Sequence, residues 1–234
     1  TLRAALEEAN FHPIRNIISF DISQPLPHRI RPISPLPVIT APVIIDGYTA
    51  SGAYQANETT PAILQIELDG IDAGAGTSGL IIQAPDSIVR GLAINRFDYD
   101  GIILDGAGAT NNQILGNYIG TDLTGALDMG NGGNGISLVN GASGNQVGGL
   151  DPADGNLISG NDSGIGVSVP GTSQNEIIGN LIGMDVTGEN PLGNTMTGIF
   201  LTDGPTDNMV FKNLIGNNGA SGVVLDGQDV TGNV

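Results

Sequence analysis

The sequence predicts an all-β fold built from stacked, repeated coils, and three observations support this prediction. The first is a recurring phrase in which G-I-x-L is followed by a turn segment and then by N-x-I-x-G-N-x-I-G. The second is the period-2 spacing of apolar residues in segments too short for helices, which is typical of strands. The third is the abundance of glycine, with 37 residues, which interrupts helical periodicity after residue 10. Such a unit buries its apolar positions only by stacking on its neighbours.

The first ten residues are the one segment with good helical character. Leu2 and Leu6 lie on one face at helical spacing, whereas Glu7 and Glu8 lie on the other. Pro13 is expected to end this helix. Short apolar runs separated by prolines follow, and they suit an irregular end piece. Because an open solenoid end exposes apolar core and unpaired backbone, we predict that residues 1–60 form an N-terminal cap.

The predicted coils occupy residues 61–234, and each begins at a glycine: Gly79, Gly101, Gly135, Gly164, Gly198 and Gly222. The spacing runs from 22 residues (79 to 101) to 34 residues (101 to 135). The shorter spacing matches three short strands with three turns, whereas a propeller blade needs about 40–45 residues. Leucine-rich repeats are disfavoured because no coil has a helical pattern. The prediction is therefore a right-handed parallel β-helix with an N-terminal capping α-helix.

The longer coils carry insertions of similar sequence, at residues 121–125 and 184–188. We predict that these loops lie along one side of the rod, where repeat proteins often place their binding face. The chain stops at Asn233 and Val234, where the next N-x-I-x-G would begin. We therefore expect a longer parent chain, or an end that pairs with another copy.

Asparagines at equivalent coil positions are predicted to form a structural ladder at one corner: Asn112, Asn145, Asn175, Asn208 and Asn233. Asparagine tolerates left-handed backbone angles, and its amide can bond to the amide one coil above. A second row is predicted at Asn117, Asn180 and Asn213.

Composition excludes several classes of partner. The formal net charge is -17, and from Asp98 onward 15 acidic residues face a single base, Lys212. This excess argues against nucleic acids and anionic membrane surfaces. No run of 18 apolar residues exists, so no membrane insertion is predicted. With no cysteine and only His12 and His28, a zinc site is not expected.

The opening of the chain resembles the N-terminal segment of large bacterial extracellular proteins built from parallel β-helix repeats. The resemblance lies in residues 2–6 (L-R-A-A-L) with 9–10 (A-N), in 36–39 (L-P-V-I) and in 45–47 (I-D-G). In that family a segment of L-R-E-A type precedes the coils, and here Ala4 replaces the Glu. The fold group includes pectate lyases, polysaccharide epimerases and surface adhesins. The resemblance implies the β-helix fold and export to the cell surface or the medium, any signal peptide having been removed.

The strongest candidate for a ligand site is Arg96-Phe97-Asp98-Tyr99-Asp100, directly before a coil start. It combines a base, two carboxylates and two aromatic rings, a mixture typical of sugar sites. Strict alternation would place the charged residues on one face and the rings on the other. The alternative is a junction in which Phe97 lies in the core and Arg96 pairs with a neighbouring Asp.

Asp122 and Asp185 occupy equivalent positions in the two insertions and are the candidate calcium ligands. Calcium takes six to eight oxygens, and one carboxylate per loop supplies few of them. The D-x-T-G sequence is also typical of an Asx turn. No other cofactor is predicted.

The coils lack the residues that polysaccharide chemistry uses. No Arg follows residue 96 and no His lies in any coil, although a lyase needs a base and a hydrolase needs paired carboxylates. We therefore expect a non-enzymatic extracellular module, serving as a stalk or an adhesive surface for polysaccharide or another surface protein. The alternative is a carbohydrate-active enzyme, namely a lyase, hydrolase or epimerase.

Overall fold

The computed structural model describes residues 1–12, 14–22 and 27–234. The helix α1 (Leu2–Phe11) begins where the Thr1 hydroxyl accepts a hydrogen bond from the Ala4 N–H, at 3.3 Å. Its apolar face is buried through Leu2 and Leu6, as the spacing predicts. Pro13, predicted to end the helix, lies outside the described residues.

Short strands make up the rest of the described fold. They are β1 (Asn16–Ser19), β2 (His28–Ile30), β3 (Val43–Asp46), β4 (Ile66–Asp69), β5 (Leu80–Ile82), β6 (Ile88–Arg90), β7 (Leu92–Asn95), β8 (Ile102–Asp105), β9 (Gln113–Leu115), β10 (Tyr118–Ile119), β11 (Asn134–Val139), β12 (Gln146–Gly148), β13 (Leu157–Ile158), β14 (Ser163–Ser168), β15 (Glu176–Ile178), β16 (Leu181–Ile182), β17 (Ile199–Thr202), β18 (Met209–Phe211), β19 (Leu214–Ile215) and β20 (Val223–Asp226).

The strands form three parallel sheets, which we call A, B and C. Sheet A has the order β1-β3-β6-β9-β12-β15-β18, sheet B the order β2-β4-β7-β10-β13-β16-β19, and sheet C the order β5-β8-β11-β14-β17-β20. From β3 onward the chain visits A, B and C in turn, and each strand pairs with its counterparts in adjacent coils. This is the arrangement of a parallel β-helix, and it confirms the all-β prediction. The segment predicted as a cap, residues 1–60, contributes β1 and β3 to sheet A and β2 to sheet B.

The core consists of apolar stacks that run through the coils. In the G-I-x-L phrase both apolar residues point inward, because successive side chains on a strand alternate between faces. On sheet C, for example, one inward row pairs in register and is fully buried over three coils: Ile102, Ile136 and Ile165. The period-2 pattern therefore aligns the inward side chains of each coil with those of the coil before it.

The five asparagines of the predicted ladder form one continuous stack before the sheet A strands. Asn112 donates from both its backbone N–H and its side-chain amide to the Asn145 Oδ1, at 2.9 and 3.0 Å. Asn145, Asn175 and Asn208 repeat this pair of bonds toward the following coil, and the stack reaches Asn233. Each amide thus satisfies buried backbone where the chain turns into sheet A.

Two more asparagine ladders occupy the other two corners. The second contains the predicted Asn117, Asn180 and Asn213 together with Asn156, which the sequence reasoning did not include. The third was missed entirely and consists of Asn131, Asn161, Asn194 and Asn218. Its signal in the sequence is a G-N pair shortly before a coil-starting glycine, as at residues 130–131, 160–161 and 193–194.

Candidate functional site

The predicted cluster of residues 96–100 is divided between two faces of the rod. Arg96 has a φ of 57°, which reverses the chain and breaks the alternation of side chains. Phe97 is buried in the core with 2% exposure, whereas Tyr99 is 54% exposed. Asp100 is buried and Asp98 is exposed. The expected alternation, with all charges on one face, is therefore wrong.

Arg96 belongs to an ionic group on the outer side of sheet B, in which arginines cover two buried carboxylates. We call it the Asp69 cluster: Arg29, Arg31, Glu67, Asp69 and Arg96. The Asp69 side chain is fully buried, and its carboxylate accepts from the Arg96 Nε at 2.9 Å and from the Arg31 Nε at 2.7 Å. The Arg96 Nη2 also pairs with it. Glu67 accepts from the Arg29 Nε at 2.5 Å. The cluster links β2, β4 and the turn after β7.

The electrostatics of the Asp69 cluster keep the Asp69 carboxylate charged. Burial acts to raise the pKa of Asp69, but the hydrogen bonds from Arg96 and Arg31 outweigh burial and hold the pKa below its ordinary value. The hydrogen bond to Glu67 raises the pKa of Arg29. Because Asp69 keeps no proton at neutral pH and its oxygens are occupied, the cluster suits a structural role rather than proton transfer.

Arg96, Phe97 and Asp98 also border a surface depression of about 470 Å³ beside residues 70–75. The charged side chains that could bind a ligand in this depression already have hydrogen-bond partners within the protein. Arg96 holds Asp69, and the Asp98 Oδ2 accepts from the Gly76 N–H at 2.5 Å.

Tyr99 and Asp100 lie instead just before the sheet C strand β8, where they help to form a cavity of about 190 Å³ that we call the Asp100 pocket. Its lining is Tyr99, Asp100, Ile103, Asn134, Ser137, Val139, Gly166 and Ser168. The Asp100 carboxylate accepts from the Asn134 N–H and from the Ser137 hydroxyl, each at 2.7 Å. Burial raises the pKa of Asp100, and the carboxylate forms no ion pair with any described residue.

The two calcium candidates anchor their own loops. The Asp122 carboxylate accepts from the Thr124 hydroxyl at 2.8 Å and from the Leu127 N–H at 3.1 Å. Asp185 accepts from the Asn190 side-chain amide and the Thr187 hydroxyl, and these bonds lower the pKa of Asp185 to about 2. Within the described residues, no group of three or more His, Cys, Asp or Glu side chains is placed to hold a metal ion.

The two insertions lie on the same side of the rod, as predicted. They touch across the short coil between them, where the Val186 N–H donates to the Gly125 carbonyl at 2.9 Å. Both loops fold back over the outer face of sheet B. There they cover an apolar cluster outside the coil interior, formed by Leu64, Ala93, Tyr118 and Leu157 with Leu123, Leu181 and Val186 packed against it.

Beside these loops lies the sheet B groove, a cleft of about 450 Å³. Its floor is apolar and includes Tyr118, Leu157 and Leu181, and its walls are residues 56–62 and residues 186–187. The Tyr118 hydroxyl donates to the Ala62 carbonyl at 2.9 Å, which fixes the floor to one wall. Burial raises the pKa of Tyr118, so its hydroxyl stays neutral.

The rim of the sheet B groove carries uncharged hydrogen-bonding side chains: Asn57, Thr59, Thr60 and Thr187. Glu58 is the single charged residue among the described residues that line it. An apolar floor with a hydroxyl and amide rim can bind an uncharged ligand. One carboxylate alone does not provide an acid and a base.

No family model matches the chain, and no curated protein matches its sequence. Among the helices that the structure describes, none combines the length and the apolar character needed to cross a membrane.

Proposed function

We propose that this chain is a non-enzymatic, right-handed β-helix module of a secreted or cell-surface bacterial protein, which binds an uncharged polysaccharide in the sheet B groove. The observation that carries the proposal is the groove itself, with its uncharged rim and its apolar floor, in which the part-exposed Leu181 lies with the buried Leu157. The apolar face of a pyranose ring packs on such a floor, while the rim donates to and accepts from ring hydroxyls.

The rigidity of the rod supports this role. Three asparagine ladders and continuous apolar stacks hold successive coils in register, so the groove floor is formed before a ligand arrives. A preformed surface loses little conformational entropy on binding. The same rigidity suits a stalk that presents the groove away from a cell surface.

The chemistry of the groove favours binding over catalysis. Glycoside hydrolysis uses two carboxyl groups about 5 to 9.5 Å apart, whereas the described lining offers only Glu58. Glu67 and Asp69 are a pair of neighbouring carboxylates, but both are buried and paired with arginines. The net charge of -17 also disfavours an acidic polysaccharide.

The proposal is tested by measuring the binding of a panel of neutral and acidic polysaccharides while assaying for reducing ends and unsaturated products. Thr60→Arg places a large charged side chain on the groove wall, where Thr60 is exposed. We expect neutral polysaccharide binding to fall at least tenfold. Thr40→Arg, the same change at an exposed site outside the groove lining, should leave binding unchanged.

Two results would overturn the proposal. Release of reducing ends or unsaturated sugars would show a carbohydrate-active enzyme, which is the alternative function. Equal binding by Thr60→Arg and the unmodified chain would show that the groove is not the contact surface.

A further inference from the structure

Asp100 differs from the other buried carboxylates of the described chain in how its charge is balanced. Asp46 pairs with Arg90 at 2.7 Å, and Glu67 and Asp69 pair with arginines in the Asp69 cluster. Asp185 is held by its own loop. Asp100 is 4% exposed and receives only one backbone N–H and one hydroxyl. A buried charge without a countercharge is unfavourable, so a cation entering this pocket would be stabilised strongly.

The Asp100 pocket forms where the outward row of sheet C changes from large to small side chains. In register along this row stand Ile103, Ser137, Gly166 and Phe200. The two small residues leave a depression between the large ones. A Cβ on Gly166 would lie 2.5 Å from the Phe200 Cζ and 3.0 Å from the Asn134 Nδ2. The glycine is therefore required for the ring and the amide to approach the pocket floor.

The polar groups of the pocket are arranged to accept further hydrogen bonds. The Ser137 hydroxyl donates to Asp100 and accepts from the Asn134 side-chain amide at 2.9 Å. These bonds use the Ser137 O–H and one of the two Asn134 amide hydrogens. Each Asp100 oxygen accepts one described bond and keeps a further lone pair, because a carboxylate offers about four acceptor sites. The matching ligand group is rich in donors and carries a positive charge.

We propose that the Asp100 pocket binds the primary ammonium group of an amino sugar, with the ammonium on Asp100 and the sugar ring against Tyr99. The choice of a sugar rests on the proposed function. An ammonium supplies three N–H donors together with the countercharge, and the half-exposed Tyr99 ring attracts a cation or an apolar sugar face. A volume of 190 Å³ holds roughly six waters, which fits one ring and not an oligosaccharide.

The test compares glucosamine with N-acetylglucosamine by NMR titration or calorimetry, because acetylation removes the charge and keeps the ring. We expect glucosamine to bind at least tenfold more tightly, and Asp100→Asn to lose at least tenfold of that affinity. Ser168→Gln, which adds bulk and no charge to the pocket lining, should have the same effect. Thr202→Gln is the matched control, since Thr202 pairs with Ser168 in the next coil and lies outside the pocket lining.

Four results would overturn the inference. The first three are equal affinity for the two sugars, unchanged glucosamine binding in both Asp100→Asn and Ser168→Gln, and equal affinity for Nα-acetyl-lysine, which would assign the pocket to lysine side chains. The groove variant Thr60→Arg should still bind glucosamine, and loss of binding there would move the site to the groove. Conversely, glucosamine binding without any neutral polysaccharide binding would refute the groove and leave the pocket standing.

Discussion

Asp69 and Asp100 are both buried aspartates on outer faces of the rod, one on sheet B and one beside sheet C, yet their surroundings are opposite. Asp69 lies among Arg29, Arg31 and Arg96, whereas Asp100 has no described cation and is held by an N–H and a hydroxyl. The pKa of Asp69 is lowered and that of Asp100 is raised. Burial alone therefore says little about a carboxylate until its partners are known.

The contrast has a source in the sequence. Every arginine lies at or before residue 96, and one lysine follows among 15 acidic residues. Only the first coils can pair a buried acid with an arginine. Later acids must use hydroxyl and amide donors, as Asp122 and Asp185 do within their loops. Asp100 comes just after the last arginine. It is buried like the acids of the first coils, but it is held by a hydroxyl and an N–H, as the acids of the later coils are.

The largest expected effect sharpens this comparison on the Asp69 side. Asp69→Asn removes the charge that three arginines share and should lower the free energy of unfolding by about 3–5 kcal/mol. Urea unfolding measures this value. The exposed Asp72 provides the control, since Asp72→Asn should change stability by less than about 0.5 kcal/mol. A loss of stability below about 0.5 kcal/mol for Asp69→Asn would contradict the structural role of the cluster.

A second variant is designed to give Asp100 the countercharge that Asp69 already has, by placing a lysine ammonium in the Asp100 pocket. Ser168 lines the same pocket, so Ser168→Lys should raise stability by up to about 1 kcal/mol and abolish glucosamine binding. Thr202→Lys, one coil further along the row, should do neither. If Ser168→Lys still bound glucosamine with full affinity, the ammonium would not be held by Asp100.

The pH dependence of Asp100→Asn is a smaller effect of defined sign. The folded pKa of Asp100 is raised above the ordinary 3.8, so the charged form is penalised in the fold and the penalty disappears as pH falls through the folded pKa. At about pH 7 the variant should match or exceed the unmodified chain, and the gap should close toward about pH 4. Chemical unfolding at both pH values measures the gap. A gap that widens on acidification would show that the charged form is favoured.

The smallest expected effect concerns the loop carboxylates. Calcium should leave the melting temperature unchanged, because Asp122 and Asp185 already accept hydrogen bonds from their own loops. An ion that bound the folded state would have to raise the melting temperature. Thermal unfolding with excess calcium and with EDTA distinguishes the two cases, and a calcium-dependent increase would identify a metal site.

The fold was largely predictable because its signals are local and repeated. The G-I-x-L phrase sets which side chains face inward, and the spacing of Asn112 and its counterparts places one ladder. The Asp69 cluster was not predictable in this way, since Arg31 and Asp69 are 38 residues apart and no repeat relates them. The division of residues 96–100 depends on the left-handed backbone of Arg96, which the sequence does not mark because arginine rarely adopts it.

The asparagine ladders also give the rod a direction. In each ladder a side-chain oxygen faces the preceding coil and a side-chain N–H faces the following one, as in Asn145 between Asn112 and Asn175. The amide dipoles therefore align head to tail along the axis at all three corners, and neighbours in such a chain polarise one another. The two ends of each ladder are unlike, and a reversed coil would set oxygen against oxygen at the first end and N–H against N–H at the last. A stack of this kind can be extended only by coils that run in the same direction.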